Sequence, residues 1–252
     1  MSLHLRLLLP GLGLALGFAL GFIQPLGLLI GAGFIVLVLF AQPYLPRALW
    51  CILVVLTSLA FAAHLLPGFS PWPLWPARQI SSDAAPYTLR LSWDKLLVGL
   101  TLLAWWLGQT HKPYPRPLLA ATVVLATLIT VPTLALMLNL VDWQPKWPDG
   151  LWLWLAVNLG VAVLAEELVF RGLLQTRLIA WLGVWPGILL TTLLFGAAHI
   201  PFSPLFALVA GVAGLGYGLL FHYSGRLSLA IALHLAVNVL HLLLLSYPLR
   251  LQ

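Results

Sequence analysis

Apolar runs organise the chain. Long stretches almost free of charge recur from end to end, and short polar segments rich in proline and tryptophan separate them. A hydrocarbon core about 30 Å thick takes roughly 20 helical residues to cross. By that measure the pattern predicts about nine helices, at approximately 6–23, 26–41, 48–66, 95–108, 117–140, 151–179, 185–200, 204–222 and 227–247. The fourth run is short, and the first two are close enough to form a tight hairpin or partly re-enter, so eight fits as well as nine. The expected fold is an all-α polytopic transmembrane bundle of about eight to nine helices.

The connections carry helix-breaking residues. Gln42-Pro43-Tyr44-Leu45-Pro46-Arg47 ends one run, and His111-Lys112-Pro113-Tyr114-Pro115-Arg116-Pro117 separates two others. Trp72, Trp75, Trp93, Trp143, Trp147, Trp152, Trp181 and Trp185 fall at or near predicted ends, as an aromatic belt would. The segment from Pro67 to Lys95 is too short and irregular to fold alone. Basic residues favour an inside N-terminus, which puts Arg6, Arg47, Lys112, Arg116, Arg177 and Arg226 on the cytoplasmic side and Lys95 on the other. His4 and Arg6 precede an apolar run that reads as a first membrane helix rather than a removed signal. Gly13, Gly17 and Gly21, and again Ala210, Gly214 and Gly218, recur at spacings that let helices approach closely. The helix around Gly211 to Gly218 is a candidate lining for a substrate route.

Composition agrees with the pattern. The chain is 62% hydrophobic and 7% charged, with a mean hydropathy of +1.04, which excludes an ordinary soluble domain. A net charge of +6 would suggest nucleic acid in a soluble protein, but no Lys/Arg run with interleaved aromatics is present. Basic residues flanking membrane spans account for it. The single cysteine, Cys51, rules out an intrachain disulfide and a cysteine-based zinc cluster. The chain divides into N-terminal spans without an assigned motif, 1–145, and a motif-bearing region, 146–252.

Against this background a few residues stand out. A charged group at the centre of a membrane helix costs about 2.5–3.5 kcal/mol on insertion scales. Yet the run Ala165-Glu166-Glu167-Leu168-Val169-Phe170-Arg171 holds the only two glutamates of the chain and an arginine. Glu167 and Arg171 are four apart and share a helix face, as an ion pair requires, whereas Glu166 points about 100° away. The simplest division makes Glu166 the chemical group and Glu167 with Arg171 its support; spacing alone also permits the reverse. Downstream, His199 closes one apolar run, and His234 and Asn238 lie one turn apart on the last helix with His241 a turn beyond. A lone histidine in such a helix is usually a packing residue. Two histidines, an asparagine and two glutamates on separate helices suggest a cluster with a function.

The motifs Glu-Glu-x-x-x-Arg at 166–171, Phe-x-x-x-His at 195–199 and His-x-x-x-Asn at 234–238 resemble those of the CAAX-protease and bacteriocin-processing family. This family, also called Abi, includes the type II CAAX prenyl endopeptidases. The resemblance covers about residues 150–245. It implies an intramembrane endopeptidase in which Glu166 and His199 activate a water and His234 and Asn238 stabilise the oxyanion. Glu167 and Arg171 would hold the first motif in shape. A carboxylate held out of water suits proton transfer near neutrality, and donors in a low-dielectric pocket stabilise developing charge.

The resemblance leaves two chemistries open. Glu166, His199 and His234 could instead hold zinc with one open position. No His-Glu-x-x-His helix and no obvious second carboxylate partner for either histidine is present, so the metal-free form is preferred and no cofactor is expected. A proton-coupled transporter would also use intramembrane Glu, His and Arg, but it predicts an internal repeat, and none is evident. A non-catalytic partner or immunity protein is the other alternative. The expected partners are the lipid bilayer and a membrane-associated peptide or protein, with no nucleic acid. The short loops suit a bacterial inner membrane. The prenylated substrates of eukaryotic relatives are not carried over, because only the catalytic motifs match.

Overall fold

The computed structural model describes residues 3–109 and 115–251. The described residues form nine helical stretches. They are α1 (Leu3–Ala19), α2 (Pro25–Leu39), α3 (Arg47–Ala62), α4 (Trp93–Trp106), α5 (Pro117–Met137), α6 (Leu151–Leu182), α7 (Val184–Ala197), α8 (Pro204–Ser224) and α9 (Leu227–Leu244). Two short antiparallel strands, β1 (Trp72–Pro73) and β2 (Arg90–Leu91), pair in the connection between α3 and α4. The protein is thus the all-helical membrane bundle expected from its apolar runs. α5, α6, α8 and α9 are long and apolar enough to cross a bilayer. Of the connection His111–Pro117, residues 111–114 lie outside the described residues.

Local chemistry sets the boundaries. Pro25, Pro117 and Pro204 each stand in the first turn of a helix, where a missing N–H costs nothing. Gly225 closes α8 with φ 65°, a left-handed conformation that glycine adopts without strain. Gly21 has φ 80° and lies beyond the end of α1, so of the Gly13, Gly17 and Gly21 row it is a turn residue. Pro132 interrupts the hydrogen-bond ladder inside α5.

The chain forms two compact units. The first contains residues 1–74, 90–110 and 159–174: α1 to α4 with the middle of α6. Its core holds Val38, Trp50, Val54 and Leu102, all fully buried. Phe34 packs on Phe61, and the Trp50 ring meets Trp105 at 5.6 Å. Helix α4 lies against α1, α2, α3 and the segment of α6 that carries the glutamates. A side chain at Gly99 would just touch the backbone of Ala165, at 3.5 Å, so the two helices pass within ordinary van der Waals reach here.

The second unit contains residues 75–89, 111–158 and 175–252, with α8 at its centre against α5, α7 and α9. Gly196 and Gly211 bring α7 and α8 together, and a side chain at Gly216 would collide with Thr127 of α5. The glycines of α8 therefore serve packing. Leu118, Leu125 and Ile129 share one face of α5 and are exposed, as a lipid-facing stripe would be. Residues after α9 fold back: Ser246 N–H donates to Asp142 O at 2.9 Å and Arg250 N–H to Leu140 O at 3.0 Å.

The aromatic belt needs correction at two positions. Trp143, Trp147, Trp152, Trp181 and Trp185 are exposed, as headgroup-level indoles should be. Trp75 and Trp93 are buried instead. Trp75 sits under the Arg78 guanidinium at 3.6 Å, and Trp93 stacks with Phe22. The connection between α3 and α4 brings these indoles onto polypeptide surface, which competes with the headgroup region for the ring.

Candidate active site

Two side-chain groups carry the motif residues, one in each unit. In the first, α6 departs from ideal helix. Its four-residue α-helical segment Leu164–Glu167 is bracketed by π-helical stretches, Asn158–Val163 and Leu168–Gln175. Such widened turns cluster at functional sites because they redirect side chains relative to 3.6-residue periodicity. Residues 167–175 are all buried.

Within this segment Arg171 Nη1 donates to Glu167 Oε1 at 2.9 Å, and both side chains are 0% exposed. The intrahelical pair expected from the spacing is present. Buried charges survive only when matched, so this pair fixes the turn that follows Glu166 and makes either partner intolerant of removal. Glu166 points elsewhere. Its Oε1 accepts a hydrogen bond from Lys95 Nζ at 2.7 Å, with both side chains about one-fifth exposed. Lys95 lies in the first turn of α4, where sequence reading takes it for a charge flanking a span.

In the second unit His199, His234, Asn238 and His241 line one cavity of about 90 Å³. The volume has room for several waters. Phe195, Ala210, Ala213 and Tyr217 supply much of its wall, with Val131 and Pro132 of α5. The wall from α8 consists of Val209, Ala210, Ala213 and Tyr217, and the glycines of that helix do not line it.

His199 follows the end of α7. Its Nδ1 lies 2.8 Å from Phe195 O, and a carbonyl can only accept. In the neutral ring the proton therefore sits on Nδ1, and Nε2 carries the lone pair that a base or hydrogen-bond acceptor needs. Phe195, Phe202 and Phe206 surround the ring.

His234 is buried on α9 and stacks face to face on Tyr217, with centroids 4.5 Å apart and planes at 16°. One turn later, Asn238 Nδ2 donates to Asn158 Oδ1 at 3.1 Å. That bond orients the amide and uses only one of its two N–H hydrogens. His241 Nε2 donates to Ser246 O at 3.0 Å, which ties α9 to the segment that follows it.

This group can accept a proton at an imidazole and donate hydrogen bonds in a mostly apolar enclosure. Its lining includes no carboxylate. Among the described residues no three His, Cys, Asp or Glu side chains are disposed to hold a metal ion.

Three partners escape sequence reading: Lys95, Asn158 and Tyr217. Asn158 is a lone amide in an apolar helix, which is a signal, but its partner lies 80 positions away. Tyr217 reads as one more packing residue of an apolar helix, and its partner His234 lies on the next helix.

No curated protein and no solved structure matches the chain. Residues 148–240, which include all three motifs, match the family model of type II CAAX prenyl endopeptidase Rce1-like proteins. This region of the chain is similar to the Rce1-like proteins of the CAAX-protease family.

Proposed function

We propose that the protein is an intramembrane endopeptidase that hydrolyses a peptide bond in a membrane-associated peptide or protein. The observation that supports it best is that His199, His234 and Asn238, all in the matched region and drawn from two motifs 35 residues apart, line one cavity. Unrelated packing residues have no reason to converge there.

In the proposed reaction Glu166, aided by His199, takes a proton from water as its oxygen adds to the peptide carbonyl carbon. The carbonyl π electrons move onto oxygen. His234 and the remaining Asn238 N–H hydrogen-bond that oxyanion, where a low dielectric makes each bond count for more than in water. Collapse of the tetrahedral species breaks the C–N bond, and the amine leaves with the proton held by Glu166. Glu167 and Arg171 hold the first motif in shape, and Lys95 orients Glu166. The reaction needs no metal, and the protein resides in a bacterial inner membrane.

Incubating purified protein with a library of membrane-anchored peptides, with and without a strong zinc chelator, tests this reading. Cleavage that survives chelation agrees with the glutamate-histidine mechanism. Loss on chelation, restored by zinc, makes His199 and His234 metal ligands. Proton flux through proteoliposomes without cleavage by the folded protein would favour a transporter.

A further inference from the structure

A second cavity, of about 570 Å³, lies in the second unit and shares no lining residue with the first. It is a groove between α5, α8 and α9, walled by Ala120, Ala121, Val124 and Leu128 on one side and Leu229 and Ala232 on another. Small side chains make it deep enough for a hydrocarbon chain. From Pro117 to Leu128 it follows α5 for about 16 Å at 1.5 Å per residue. That is close to half of a hydrocarbon core about 30 Å thick, the depth of one leaflet.

One end of the groove is basic. Arg226 lines it and is exposed. Arg116 stands beside it between the lining residues Pro115 and Pro117, and its backbone N–H donates to Tyr223 O at 2.7 Å. No acidic residue occurs between Asp94 and Asp142, and none follows Glu167, so neither arginine has a carboxylate nearby in the chain. An apolar trough of leaflet depth with Arg226 in its wall and Arg116 between two of its lining residues matches a ligand with an acyl chain and an anionic head.

We infer that this groove binds an anionic glycerophospholipid of the bilayer, with one acyl chain along α5 and the phosphate at Arg226 and Arg116. The bilayer supplies such a ligand at high local concentration, and each arginine near the surface adds about fivefold to binding. The groove is separate from the proposed peptidase cavity, so the inference does not depend on the proteolytic reading.

Native mass spectrometry of the full-length protein, stripped of lipid in detergent and resupplied with phosphatidylglycerol or phosphatidylcholine of identical chains, tests it. Phosphatidylglycerol should be retained at least about fivefold better. The double variant Arg116→Gln/Arg226→Gln should reduce its retention to the phosphatidylcholine level. Ala232→Trp, which fills the trough from an exposed position, should lower retention of both lipids without changing the melting temperature. Equal retention of the two lipids, or retention unchanged in the arginine variant, would overturn the assignment. So would displacement of phosphatidylglycerol by an isoprenylated peptide, because that would assign the trough to substrate.

Discussion

Lys95 Nζ donates a hydrogen bond to Glu166 Oε1 at 2.7 Å. The contact joins the first turn of α4 to the α-helical island in α6, and it gives the proposed general base a fixed direction. A charge-assisted bond of this kind is short, and about twice as strong as a neutral one. Lys95→Met should lower kcat about tenfold, which corresponds to ~1.4 kcal/mol, and leave KM nearly unchanged. Steady-state cleavage of a membrane-anchored peptide measures this. Unaltered kcat would remove Lys95 from the machinery.

Glu167 and Arg171 behave differently because water does not reach them. Removing one member of a buried pair strands the other at a cost of about 3–5 kcal/mol. Arg171→Ala should therefore lower the melting temperature and the yield of monodisperse protein in detergent. The paired replacement Glu167→Met/Arg171→Met should recover much of the loss. A single variant that melts like wild type would contradict a structural role for the pair.

Asn158 predicts a conservative rescue. Its Oδ1 accepts from Asn238 Nδ2, so Asn158→Ala should cost activity on the order of tenfold by releasing the Asn238 amide. Asn158→Asp keeps an acceptor and should restore most of it. If Asn158→Ala cleaves normally, the orientation of Asn238 does not matter to the reaction.

A pH effect on stability arises in the connection after α3. His64 Nδ1 lies 2.7 Å from Asp94 Oδ2, and this hydrogen bond raises the imidazole pKa above its usual 6.5. The charged ring gains its partner on folding. The stabilisation is fully present below the unfolded value and is lost as pH rises through the raised folded value. Melting temperature should fall as pH rises from the ordinary imidazole value of 6.5 through the raised folded value, and His64→Asn should flatten that dependence. An identical slope in the variant would place the pH sensitivity elsewhere.

These partners show where sequence reading succeeds and where it stops. Apolar runs locate α5, α6, α8 and α9 within a few residues, because a span must be long and uncharged whatever it packs against. The Glu167–Arg171 pair is legible because its spacing is local. The π-helical stretches flanking Leu164–Glu167 are not legible, since a hydrophobic run has no periodicity that a widened turn could disturb. Lys95 reads as a flanking charge, and only packing of α4 on α6 turns it toward Glu166. Trp75 and Trp93 read as headgroup indoles, and only the path of the connection after α3 buries them. What stays hidden depends on contacts far apart in the chain.

The most direct test compares cleavage of one membrane-anchored peptide by wild type, Glu166→Gln and Glu167→Gln, each shown to be folded in detergent by its melting curve. The account predicts no turnover by folded Glu166→Gln, and for Glu167→Gln a lowered melting temperature with residual turnover. Full activity of Glu166→Gln beside a folded but inactive Glu167→Gln would reverse the roles of the two carboxylates and contradict the mechanism.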